Sequence, residues 1–468
     1  MQQEEAITTA DEFEREPVPA RALKGWRSFI GMFAGEHAAG TEFVIGPLFV
    51  VHGVSVFDVL VGLLVGNLLA VLSWTFITAP IATRYRLTLY YQLEKICGTR
   101  LVNLYNLANG LMFCFLAGSM IAVSATAVGI PFDLTMPELS DWLPNSIGWV
   151  IAVFAVGAVI SVVAMRGYET VSWFANLASP WMVLIFLACG IVSLPQLGIH
   201  SWSEFWTVAE DRIWTGVPLA GATKFTFWHV MFFAWFANMA MHIGMADLSI
   251  FRYAKKWQMG ASSFAGAFVG HYMAWIAASL LYAAQVYRDP SNTAVAPGPV
   301  AYYSAGLAGA MCVVIAGWTT ANPTIYRAGL AFQTLFPKWS RGQVTLLAGG
   351  VATLGACFPA LVMKLLDFVA LYGLVLMPMG AVIFIDHYLI PKLGLEAQYA
   401  ERKGISFNVA AGLTWFGTLA VCLGLNIFAG VEVFFLGLPG WFIAAVFYVI
   451  FSRIYQNSRR PALNSMSR

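Results

Sequence analysis

Charge is what this sequence has least of. Only 11% of its 468 residues are Asp, Glu, Lys or Arg, against about 25% in ordinary soluble domains. Hydrophobic residues make up 59% of the chain, and the mean hydropathy is +0.72. That excludes an ordinary water-soluble domain and predicts an all-α integral membrane protein. The net charge of +2 gives no basis for binding nucleic acid. Cysteine is also sparse. Cys97, Cys114, Cys189, Cys312, Cys357 and Cys422 show no paired spacing and lie mostly inside apolar runs. Neither a disulfide framework nor a zinc site follows, and they read as small buried hydrophobes. A glycine-rich phosphate loop, a metal-binding His cluster and a nucleophile elbow are all missing. The loops are too short for a catalytic domain, so neither an enzyme nor a cofactor beyond a coupling ion is expected. Met1 to Glu16 is polar and acidic, without the basic region and short apolar core of a cleavable signal peptide. The first apolar run is expected to act as the targeting signal.

Long apolar runs fill the remainder. A transmembrane helix needs about 20 mostly apolar residues. By that rule about twelve spans are expected, at 26–51, 56–82, 101–129, 147–165, 171–193, 225–246, 260–284, 299–321, 344–363, 368–390, 407–429 and 434–451. They are numbered 1 to 12 below. Basic residues favour cytoplasmic connections. If the N-terminus is cytoplasmic, 22 of the 26 Lys and Arg residues fall on that side and four (Arg212, Lys224, Arg288, Lys364) on the other. Both termini are therefore expected in the cytoplasm, with the protein in the cell (inner or plasma) membrane. The domain division is a tail over 1–25, a transport domain over 26–455 and a tail over 456–468. The connection 194–224, rich in Trp and Glu, is expected to lie along the interface as a short amphipathic helix. The aromatic and basic segment 85–100 is expected to do the same on the other face.

Glu36 and Glu42 stand near the middle of span 1. A carboxylate at the bilayer centre costs about 2.5–3.5 kcal/mol on insertion scales. On an unbroken helix, six steps of 100° separate the two by about 240°, on different faces. An interruption near Ala38-Ala39-Gly40 resolves that conflict, and broken helices build the central site of many secondary transporters. Span 6 is interrupted similarly, by His229, Asn238, His242, Gly244 and Asp247. The two spans lie five apart and so face opposite ways through the membrane. This predicts two inverted five-helix repeats, about 26–193 and 225–390, each opening with a discontinuous helix. Two peripheral helices, about 407–451, complete the chain.

Several segments carry a resemblance. They are Pro17-Val18-Pro19 with Leu23-Lys24-Gly25, Val65-Gly66-Asn67-Leu68-Leu69, Gly317-Trp318-Thr319-Thr320-Ala321-Asn322 continuing into Tyr326-Arg327-Ala328-Gly329-Leu330, and Pro378 through Ile385-Asp386-His387-Tyr388-Leu389. In this order the chain resembles the nucleobase:cation symporters, and within them the bacterial cytosine permease branch, from about Pro17 to Arg453. The resemblance implies uptake of a purine, pyrimidine or related heterocycle with Na⁺ or H⁺. It places a sodium site at the Gly35, Ala38 and Ala316 carbonyls and the Thr319 and Thr320 hydroxyls, an oxygen set that suits a hard cation. It implies stacking of substrate between Phe115 on span 3 and an aromatic on span 6, for which Trp235 is chosen. Ser119, Asn238 and Asn322 are the nearby polar candidates.

Glu36, His37 and Glu42 depart from the cytosine permease pattern. A carboxylate there could accept paired N–H bonds, face a cationic ligand or carry a proton. Glu36 is thus a substrate candidate, and Glu36, Glu42 and His242 are candidates for proton coupling. An organic cation or amine paired to Glu36 or Glu42 is the alternative substrate; a channel or a non-transporting sensor is the alternative of another class. Expected partners are the lipid bilayer and a small-molecule substrate, and the expected state is a monomer.

Overall fold

The computed structural model describes residues 13–459 apart from 138–140, 294, 296 and 364. Among the described residues there is no strand, only two isolated bridges, Lys24 with Ala254 and Ser55 with Thr215. Among the described residues nine helices are long and apolar enough to cross a membrane, and the chain is a multi-pass membrane protein. Of the remaining expected spans, span 9 is the helix Arg341–Ala356. Spans 1 and 6 are each divided. Span 1 is Trp26–His37 followed by Glu42–Val51. Span 6 is Phe227–Phe236, a run of turns, then Leu248–Phe251.

The packing has the reciprocity expected of an inverted repeat. The first half of span 6 packs on span 2, and the second half of span 1 packs on span 7. Spans 3 and 8 pack on each other along their length. Spans 2 and 7 each contain a π-helical stretch, Trp74–Thr78 and Ala265–Tyr272. Such widened turns concentrate at functional sites, and both stretches lie beside the broken helices. Gly266 and Gly270 bring span 7 against span 1. A Cβ on Gly270 would lie 2.6 Å from the Cβ of His37.

Span 8 differs from expectation. It runs Pro297–Gln333, with a kink at Ala305 and Gly306, and continues well past Ala321. Arg327, counted above with the connection to span 9, is therefore inside a helix and 1% exposed. The two interfacial segments are helical. Trp202–Val208 opens with a capping box in which Ser201 and Glu204 exchange bonds, and Trp202 is largely exposed. Leu89–Cys97 is capped by the Thr88 hydroxyl.

The N-terminal stretch from Phe13 to Lys24 crosses one end of the helix bundle. Its Val18 N–H donates to the Arg86 carbonyl (3.0 Å) and its Lys24 N–H to the Tyr253 carbonyl (2.6 Å). The Arg252 guanidinium donates to the Phe13 carbonyl (2.7 Å). Glu14 lies 3.7 Å from Arg341, and Lys24 pairs with Glu169.

Candidate functional site

The interruption in span 1 occupies Ala38–Thr41. The Ala38 N–H still donates to the Ala34 carbonyl, but its ψ of 56° leaves the helical path. Glu42 begins the second helix, where the aligned peptide dipoles favour an anion. Gly40 is squeezed between spans 3 and 8: a Cβ there would lie 2.9 Å from Val123 and 3.3 Å from the Val313 carbonyl. In span 6 the chain reverses its winding at Met245, whose φ is +69°. Long-reach bonds from the Gly244, Ala246 and Asp247 N–H groups back to residues 239–241 hold that segment together.

Glu36, in the last turn before the span 1 interruption, and Asp247, at the end of the span 6 interruption, meet at Arg327. Its guanidinium donates to both Glu36 oxygens (2.6 and 3.2 Å) and to Asp247 Oδ1 (2.6 Å). Glu36 is 8% exposed and Asp247 1%, so these are interior ion pairs with charge-assisted geometry. Trp74 of span 2 donates its indole N–H to Asp247 Oδ2 (2.7 Å). Tyr90 donates to the Arg327 carbonyl (3.0 Å).

Glu42 has a different neighbourhood. Trp275 of span 7 donates its indole N–H to Glu42 Oε2, and His271 Nε2 lies 3.7 Å from Oε1. The His271 ring stacks on Trp275 with centroids 4.3 Å apart and lies 4.6 Å from the ring of His37. His37 Nδ1 donates to the Phe33 carbonyl (2.8 Å), while its Nε2 has no partner among the described residues. The two halves thus repeat one device, an indole from the helix after a broken span bonded to an acid of the other half's broken span.

A cavity of about 70 Å³ lies between the interruptions. Glu36, Thr41, Glu42, Asn238, His271, Thr320 and Thr324 provide its polar lining, and Phe233, Trp275, Phe368 and Tyr372 its aromatic walls. Of the residues singled out in the sequence, Glu36, Glu42, Asn238 and Thr320 come together here. Phe115 is adjacent: its ring stacks on Phe368 at 4.5 Å. Ser119 donates back to the Phe115 carbonyl (3.3 Å). Trp235 turns instead to span 2, its indole donating to Ser73 (3.2 Å). The Trp235 carbonyl accepts from His242 Nε2 (3.0 Å). Asn322 is buried outside the cavity lining, and its amide has no partner among the described residues. His229 caps the far end of span 6 with Thr226.

Three of the five oxygen candidates for a cation, on Ala316, Thr319 and Thr320, lie within about one turn of span 8. The Thr319 and Thr320 hydroxyls lie 3.0 and 3.1 Å from the Ala316 carbonyl. Thr320 Oγ1 also lies 2.8 Å from the Glu36 carbonyl, which joins span 8 to the interruption. Gly35 sits one residue before that carbonyl and packs on Ala175 of span 5, and Ala38 is in the interruption itself. Sequence reasoning missed Arg327, Trp74, Trp275 and the pairing of His271 with Glu42. An Arg within a motif otherwise apolar for a further helical turn was the signal available for Arg327.

No family model matches the chain, and none of the curated proteins does. Solved structures do. MHP1, a nucleobase-cation-symport-1 family transporter in a closed conformation with bromovinylhydantoin bound, superposes with a TM-score of 0.72 at 15% identity, over 96% of this chain and 97% of that one. The inward-facing conformation of Mhp1 gives 0.68 at 15% identity, over 95% and 94%. A Na⁺-coupled sialic acid symporter in a substrate-bound outward-open state gives 0.66 at 16% identity, over 95% and 92%. These likenesses establish a shared fold across nearly the whole chain.

Proposed function

We propose that this chain is a secondary active transporter that carries a nucleobase or related nitrogen heterocycle into the cell by cation-coupled symport and alternating access. The heterocycle would be of the purine, cytosine, allantoin or hydroxymethylpyrimidine type. The observation that supports this most is the meeting of two interrupted helices around a cavity with aromatic walls and acceptor side chains. Planar ligands need flat apolar faces and a few fixed polar groups at their edges. Phe233, Trp275, Phe368 and Tyr372 supply the first; Glu42, Asn238 and Thr41 supply the second. Transport by MHP1 and the sialic acid symporter, which share this fold, agrees with the reading.

The reading includes twelve spans, repeats over about 26–193 and 225–390, both termini in the cytoplasm, and a monomer. Na⁺ or H⁺ is the coupling ion. The Gly35, Ala38 and Ala316 carbonyls with the Thr319 and Thr320 hydroxyls would hold Na⁺, since carbonyls released by an unwound segment suit a hard cation. Purified protein in liposomes tests the proposal. Accumulation of a radiolabelled heterocycle from a panel of purines, pyrimidines, hydantoins and allantoin, driven by an imposed Na⁺ or H⁺ gradient, is the expected result. Purely downhill flux, or accumulation of amines in place of heterocycles, would refute it.

A further inference from the structure

The two indole–acid pairs differ in one respect. Asp247, with Trp74, has a permanent counter-charge in Arg327 at 2.6 Å. Glu42, with Trp275, has none among the described residues, of which no Lys or Arg lines its cavity. The middle of the molecule thus holds three carboxylates, Glu36, Asp247 and Glu42, against one guanidinium. With all three ionised the excess is two negative charges, and a proton on Glu42 halves it, leaving only Glu36 and Asp247 to share Arg327. An uncompensated carboxylate away from water costs several kcal/mol.

We infer that a proton neutralises Glu42, and that Glu42 with His271 is the exchangeable proton site that drives symport. The geometry favours a proton over a metal ion. Hard cations require several converging oxygens, whereas the groups aimed at the Glu42 carboxylate are an indole N–H and an imidazole nitrogen. When Glu42 is ionised, Oε2 accepts from Trp275. A proton arriving on Oε1 faces His271 Nε2, 3.7 Å away, and a small closure gives an O–H···N bond along which it can pass. The proton leaves by the same atoms once the other side opens, so charge balances over a cycle.

The titratable groups facing the pair are few. On span 1 they are Glu36, committed to Arg327, and His37, whose ring contacts His271. Span 10 contributes Tyr372. Spans 3 and 6 present Leu116, Met120, Asn238 and Met241, and span 8 presents Thr320 and Thr324. His242 and Asp247 lie beyond Trp74. The proton therefore has two acceptors here, Glu42 and His271.

This inference rests on the symport reading but is tested apart from it. Infrared difference spectra of the purified full-length protein in lipid nanodiscs, recorded while pH is stepped through the physiological range without substrate, report protonated carboxyl groups directly. A carboxyl band that titrates in the native protein should vanish in Glu42→Gln and shift its midpoint by about one pH unit or more in His271→Phe. Thermal unfolding and size-exclusion profiles establish that both variants are folded, and Glu42→Asp should keep a titrating band at a displaced midpoint. A band unchanged by Glu42→Gln, or one lost there that never titrated, overturns the proton site. So does stabilisation of the native protein by an organic amine that is lost in Glu42→Gln without any titrating band. If the band behaves as expected but no heterocycle accumulates in liposomes, the symport reading fails and the proton site stands. Accumulation on a Na⁺ gradient alone, with no titrating band, has the opposite meaning.

Discussion

Replacing Arg327 by Leu removes the guanidinium that pairs with both Glu36 and Asp247 and leaves those two carboxylates without it. Breaking a buried pair by deleting one partner costs about 3–5 kcal/mol, because the remaining charge is uncompensated. With an unfolding entropy of about 2.1 cal/mol/K per residue, a chain of 468 residues has about 1 kcal/mol/K in total. The midpoint should therefore fall by about 3–5 °C in detergent, read by a thermal-shift assay at a fixed scan rate. The triple variant Arg327→Leu, Glu36→Gln, Asp247→Asn discards the charges together. Neutral replacement of a whole buried cluster is often harmless, so this variant should regain most of the midpoint while losing transport. The reasoning is refuted if Arg327→Leu alone matches the native protein, or if the triple variant is no better than the single one.

Three further outcomes follow from other contacts. Gly270→Val places a side chain against the His37 backbone, at 2.7 Å already for its Cβ. Overpacking of about 1–3 kcal/mol should lower the midpoint and yield in fluorescence size exclusion, whereas Gly350→Ala, with open space around it, should be neutral or stabilising by about 0.5–1 kcal/mol. Glu204 accepts from the His200 and Ser201 N–H groups (2.8 and 3.0 Å), which holds its carboxyl below the usual range. A depressed carboxyl stabilises above its unfolded pKa and ceases to do so as pH falls through the lower folded value. Hydrogen exchange of those two amides, corrected for intrinsic rates, should lose protection on acidification, and Glu204→Gln should remove that pH dependence. For the proposed sodium site, Thr319→Ala and Thr320→Ala should each abolish stabilisation by Na⁺ over choline in the same thermal assay; undiminished stabilisation would remove these hydroxyls from the site.

Parts of this arrangement were legible in the residues. Two acids six positions apart in an apolar run cannot share one face of a helix, and the chain does unwind between them, at Ala38–Thr41. The echo in span 6 was visible for the same reason, as polar residues where a lipid-facing helix has none. Arg327 was not, because Pro323 and a cation after Ala321 look like the end of a span, whereas helical winding continues to Gln333. The partners of Glu42 were hidden by geometry. Which indole meets which acid depends on the register of span 7 against span 1, and the π-helical turn at 265–272 shifts that register without a trace in the hydrophobic period. Trp235 illustrates the same difficulty in reverse: one turn from Asn238, it faces Ser73 on another helix.

The stretch from Phe13 to Lys24 is sewn to connections belonging to both halves, Arg86 and Glu169 from one and Arg252, Tyr253 and Arg341 from the other. In the proposed alternating-access cycle, movement of one half against the other would have to unfasten that seam. On the proposed transport cycle residues 13–24 would then be a brake on turnover rather than a passive tether, and cutting their contacts should raise the transport rate while lowering the thermal midpoint.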